Sequence, residues 1–221
     1  MSARIATTSV AGNKRLVVTD GCHVLSSQLE ADSALDPCSH EEADTRMLLH
    51  AVHAAANGHT RVMIKTVDTD VVVLAIACFE RLGASELWIA FCSAKNLRYI
   101  AVHELVEILG TNRCKALPFF THSRDVTPFC LLQAMAKQTA WETWNSFPDV
   151  TSAFLHLSSE PTDVESSMSL LQLFVVRMYE RSSSKMTVNC LRKHLFTKKG
   201  KPMEGRGLPP TAAALLQHTK W

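Results

Sequence analysis

Apolar positions in this chain recur at two different periods, and the change from one to the other marks out its elements. "RLVVTDGCHVLSS" alternates as two short strands around Asp20-Gly21, a strong turn pair. After the loop "EADSALDP", Ser39 and Glu42 form a capping-box pattern. It opens an amphipathic helix over 40–57 that carries Ala43, Met47, Ala51, Ala54 and Ala55 on one stripe and closes at "NG". "RVMIKTV" reads as a buried strand. Residues 71–82 fit either state, since a β-branched start favours strand while length and the stop at Gly83 favour helix. "ELWIAF" is a further strand, "CSAKN" a turn, "LRYIA" a short strand, and "VHELVEIL" a helix ending at Gly110. From Pro128 the pattern becomes helical: "PFCLLQAMAKQTAWETW", "SLLQLFVVRMYE" and "VNCLRKHLF", then the loop "TKKGKPMEGRGLPPT" and a last short helix. Strands alternating with helices predict an α/β domain with a mostly parallel central sheet, right-handed crossovers and a helical C-terminal extension.

Composition changes this picture little. The 221 residues suffice for one sizeable core, and 47% hydrophobic against 20% charged residues is ordinary for a globular protein. The longest apolar run, "VVVLAIACF", stops at Glu80 and Arg81, too short to span a bilayer, so no membrane association is expected. The opening "MSARIATTSVAGNKR" lacks an apolar segment of signal-peptide length. Seven cysteines occur without a CxxC; the odd number fits a reducing compartment. An intracellular protein is expected, with nucleus and cytoplasm left open. There is no internal repeat, and glycine is too sparse for a P-loop or a dinucleotide fingerprint.

Charge is uneven. Residues 171–221 hold 10 Lys/Arg against 2 Asp/Glu, whereas residues 1–170 hold 13 against 19. The basic end, with Arg192, Lys193, Lys198, Lys199 and Lys201, reads either as a surface for DNA or RNA phosphates or an acidic protein partner, or as a solvated helix face. Lys95 and Arg98 offer a second set of cations.

The candidate chemistry is acidic. At "TVDTDVVV", Asp68 and Asp70 follow a strand, where ligands of open α/β sheets collect. On spacing alone the more economical account is a turn residue and a helix cap. "HEEAD" opens the first helix, where Glu42 fits the capping box, Arg46 could pair with it at i+4, and first-turn acids are favourable anyway. Together the two clusters could hold a hard divalent cation, which would keep crowded carboxylates charged. Mg²⁺ or Mn²⁺ there could polarise a phosphodiester and supply hydroxide, and two ions ~4 Å apart could stabilise the attacking and leaving oxygens.

"HEEADTRMLLHAVHAAANG", "VDTDVVVLAIACF" and "KNLRYIAVHELVEILG", with "KQTAWETWNSFPDV" and "LPPT", resemble a largely uncharacterised, often transposon-associated group of animal proteins. Their core is similar to the PIN-like domain of flap endonucleases. The resemblance runs from about Arg15 to the end and divides the chain into a PIN-like core over 15–127 and a mostly helical extension over 128–221. It implies a three-layer α/β/α sandwich in which acidic residues bind two Mg²⁺ or Mn²⁺ ions and hydrolyse nucleic-acid phosphodiesters. The family's Glu-Ala-Glu helix motif corresponds to Glu42, Ala43 and Asp44, with Glu41 as a substitute for Glu42, and its paired aspartates correspond to Asp68 and Asp70. A further aspartate belongs to a Gly-Cys-Asp-like turn; Asp125 in "THSRDVTPF" is the nearest candidate, without the glycine. The family's first strand and first metal-binding aspartate would precede Arg15, and residues 1–14 supply no aspartate, so a truncated or decayed copy is expected. The implied function is divalent-metal-dependent nucleic-acid hydrolysis, with a catalytically inactive binding module for nucleic acid or protein as the alternative.

Other constellations are weaker. His50 and His53 share a helix face, and Cys22, His23, Cys38 and His40 add zinc-type ligands, but no paired spacing describes a closed zinc site. No GxSxG elbow accompanies the serines, and His103-Glu104 reads as a helix start. Trp141 and Trp144, three apart on a helix, read as a core or interface anchor before a base-stacking platform.

Overall fold

A computed structural model of the chain describes residues 14–27, 35, 42–93, 96–125, 137–198 and 208–220. The chain forms two compact units, Met1–Ile108 and Leu109–Trp221.

The first unit opens with a hairpin, β1 (Val17–Asp20) and β2 (His23–Ser26), in which Asp20 pairs with His23. Only Gly21 and Cys22 are left for the turn. Gly21 takes φ +62° at the first central position, which a residue with a Cβ rarely adopts. There follow α1 (Ala43–Ala56), β3 (Arg61–Thr66), α2 (Thr69–Leu82), β4 (Glu86–Ser93), β5 (Asn96–Ala101) and α3 (Val102–Leu109). Residues 71–82 are helical. α2 turns Val71, Ala75, Ile76 and Leu82 inward and stops at Gly83, whose φ of +79° makes the left-handed cap.

The central sheet is not the mostly parallel one expected of a PIN-like three-layer sandwich. The sheet is β3-β4-β5: β3 and β4 run parallel, from Arg61↔Glu86 to Thr66↔Phe91, but β4 and β5 run antiparallel, from Trp88↔Ala101 to Ser93↔Asn96. With the hairpin, two of the three strand pairings among the described residues are antiparallel. Linker length is the cause. A 14-residue helix links β3 to β4 and permits a parallel crossover, whereas two residues separate β4 from β5, which only a reversal can bridge. Leu87 and Ile89 of β4 and Val71 of α2 are fully buried, each contributing about 1.5–3 kcal/mol. The face carrying Met63 and Tyr99 keeps 60% and 59% of their surfaces exposed.

The second unit is helical: α4 (Thr111–Asp125), α5 (Lys137–Ser146), α6 (Val150–Ser159), a 3₁₀ turn (Glu165–Ser167), α7 (Met168–Tyr179), α8 (Val188–Lys198) and α9 (Ala212–Thr219). The sequence pattern missed α4, because Pro118 lies inside it and the helix has no clear apolar stripe. Its centre is aromatic. Trp144 is 1% exposed, meets Phe154 edge-to-face at 5.3 Å and Phe120 at 4.6 Å, and donates its indole N–H to Thr151 Oγ1 at 2.9 Å. Half-buried Trp141 stands edge-to-face with Trp144 at 5.5 Å, so the pair is a core feature. Among the described residues no helix is long and apolar enough to cross a membrane.

Candidate metal centre

Two helix starts with the same layout build the site. Asp68 is the N-cap of α2 in extended conformation (φ −95°, ψ 130°), and its Oδ1 accepts the N–H of Asp70 at 2.9 Å. Its own N–H donates to Oγ1 of the buried Thr66 at 3.0 Å, so the turn is fixed from the last residue of β3. The economical account puts Asp68 in the turn and Asp70 at the cap; a cap is present, but Asp68 supplies it and Asp70 stands in the first turn of the helix. Glu42 is the N-cap of α1, also extended (φ −89°, ψ 136°), and Asp44 stands two residues on, as Asp70 does from Asp68.

The two caps differ in one respect. The Glu42 side chain makes no cap hydrogen bond; Thr45 Oγ1 donates to the Glu42 carbonyl at 2.9 Å instead. The helix thus begins three residues later than the Ser39 capping box placed it, and Ser39 and Glu41 lie outside the described residues. Glu42 thus stands at the N-cap position with a side chain that makes no cap hydrogen bond.

α1 packs against both α2 and β3, which brings the two starts together. Partial burial pushes the Asp44 carboxyl above its ordinary range, and the charges of Asp68, Asp70 and Glu42 push it in the same direction. Four of the five sequence candidates thus share one electrostatic neighbourhood. Asp125 closes α4 in the second unit, and its side chain lies outside the described residues.

The donor set is all carboxylate oxygen, as hard Mg²⁺ or Mn²⁺ requires. Among the described residues, however, no group of three or more His, Cys, Asp or Glu converges as it stands into a metal-holding cluster. Asp68 is turned back onto its own helix by its cap hydrogen bond to the Asp70 N–H. Glu42, Asp68 and Asp70 are exposed. Asp68 can keep Oδ1 on the Asp70 N–H and offer its second oxygen.

Among the other candidates, Arg192 donates to the Pro209 carbonyl and so has a structural duty, while Lys95, Lys199, Lys201, Cys38 and His40 lie outside the described residues. His103 Nδ1 lies 3.2 Å from the Leu87 carbonyl and its ring stands edge-on to Trp88 at 5.3 Å, a packing role. Comparison with protein-family models, curated proteins and solved structures finds no match.

Proposed function

We propose that the first unit is a divalent-metal-dependent phosphodiesterase acting on nucleic acid, with Asp68 and Asp70 as central ligands and Glu42 and Asp44 completing the set. The observation that carries this reading is the pairing of two helix starts of the form acid-x-acid, close enough that, beside burial, the charges of Asp68, Asp70 and Glu42 also raise the Asp44 carboxyl. Helix starts favour anions, but four carboxylates at two adjoining starts repel one another beyond what capping needs. A bound Mg²⁺ or Mn²⁺ would supply Lewis-acid polarisation of the phosphodiester and a more acidic water. The chain's own contribution is positional. Thr66 fixes Asp68, Asp68 fixes the start of α2, and the contact of α1 with α2 sets Asp44 and Glu42 opposite. Water is the nucleophile, and no covalent protein intermediate is required. The motif resemblance to PIN-like nucleases supports the same chemistry.

The test incubates the protein with single-stranded and branched DNA or RNA in Mg²⁺ or Mn²⁺, beside the Asp68→Asn/Asp70→Asn variant. Metal-dependent cleavage by the parent and none by the variant is expected. Equal cleavage by both would sink the proposal, and metal-independent binding without cleavage would leave an inactive nucleic-acid module.

A further inference from the structure

β3 is the edge of its sheet, paired with β4 on one side. Every second residue of such a strand turns its N–H and C=O away from the neighbour. Among the described residues, the backbone of 62–65 makes no hydrogen bond beyond the β4 ladder. The free edge therefore offers a row of donors and acceptors at the spacing of a polypeptide backbone.

A groove of about 340 Å³ runs along this edge. Residues 62–65 form one wall, and Met47, His50, Ala51 and Ala54 of α1 form the other, at the i, i+3, i+4, i+7 spacing of a single helix face. A helix face beside a free strand edge is a shape that admits one more strand: its main chain would pair with β3 while alternate side chains enter the groove. The two alanines of the helix wall leave room for them.

The side chains of β3 decide what kind of strand. It carries Arg61 and Lys65 and no carboxylate. With Met63, 60% exposed, these form the outward row, on the face opposite buried Ile64. Arg61 is held by Glu86 of β4 at 3.0 Å, whereas Lys65 is exposed and makes no hydrogen bond or ion pair among the described residues. A second copy is the poorer occupant. Edge-to-edge pairing would bring two Arg61 and two Lys65 side chains to one seam, and the antiparallel register centred on Met63 sets Arg61 opposite Lys65. A lysine on an edge strand guards against such self-pairing and leaves the edge open to a strand of opposite charge.

We propose that the β3 edge docks an extended segment of a partner protein, with carboxylates on one face and apolar side chains on the other. The carboxylates meet Lys65 across the seam, and the apolar row fills the groove against α1. Docking here uses no metal and stands apart from the carboxylate site.

The test adds an acetylated and amidated eight-residue peptide alternating glutamate and valine to the full chain in EDTA, with a lysine-valine peptide as the control. Fluorescence anisotropy should show saturable binding of the first and about tenfold weaker binding of the second, the scale of exchanging an opposite for a like charge across a strand pair. Hydrogen exchange should slow at the amides of 62–65 and stay unchanged in α6 and α7. Lys65→Glu, at an exposed position, should melt with the parent and prefer the lysine peptide, an inversion that a merely structural lysine would not produce. No saturable binding below about 1 mM, binding without protection of β3, or equal binding of both peptides would each overturn the proposal. A parent dimer in sedimentation, with 62–65 protected in the absence of peptide, would overturn it in favour of a second copy.

Discussion

Asp68 is asked to do two things, to cap α2 and to hold a cation, and substitution can separate them. Asparagine retains an oxygen able to accept the Asp70 N–H at 2.9 Å, so Asp68→Asn keeps the cap at a cost of a few tenths of a kcal/mol at most. It also removes one of the charges that push up the Asp44 carboxyl, which works in the stabilising direction. Asp68→Ala loses the cap and should cost about 1 kcal/mol, or roughly 4–8 °C in the melting of a unit this size. Cation binding adds a separate contribution. At a free Mn²⁺ concentration ten times the dissociation constant, the parent gains about 1.4 kcal/mol, whereas Asp68→Asn should gain a small fraction of that. Thermal melts of parent, Asn and Ala proteins with EDTA and with Mn²⁺ read both effects. Without metal the Asn protein should melt with or above the parent and the Ala protein below. An equal Mn²⁺ shift in parent and Asn proteins would refute the ligand role, and an Ala protein melting with the Asn protein would refute the cap.

Because the folded Asp44 carboxyl titrates above its unfolded value, the folded state binds the extra proton: the penalty is absent below the unfolded value near 3.8 and grows as pH rises through the folded one. Asp44→Asn should therefore melt closest to the parent in acid and above it at neutral pH, a gap that pH-resolved melts without metal would reveal. Trp144→Ala should cost the second unit about 3–5 kcal/mol in denaturant melts, since it empties the aromatic centre and strands Thr151 Oγ1. Gly83→Ala should cost about 1–2 kcal/mol through backbone strain alone, because a Cβ there meets nothing within 4 Å, and Gly83→Asn should recover part of it.

Local signals carried the elements far. The hairpin turn was legible to within one residue, read at Asp20-Gly21 and formed by Gly21 and Cys22; the stop of α2 at Gly83, the helix 102–109 and the candidate carboxylates were legible because glycine geometry, capping and apolar period act within a few residues. Even the antiparallel step from β4 to β5 was implicit in the shortness of "CSAKN", although strand-helix alternation pointed to a mostly parallel sheet. The helix around Pro118 was illegible, because its support comes from packing against α6 and not from a stripe of its own.

The chemistry divides in the same way. By itself the sequence put the carboxylates of "EAD" at a helix start, where an N-terminal dipole and free N–H groups welcome them without any ligand, and those of "DTD" after a strand, with the state of the residues that follow left open. Only the tertiary structure decided that the two starts adjoin, that Asp68 spends one oxygen on its cap while Glu42 spends none, and that Asp44 feels the charge of all three. It alone set the Met47, Ala51 and Ala54 stripe of α1 beside the free edge of β3. Charges act on one another through space, and only the packing of α1 against α2, β3 and the hairpin sets those distances.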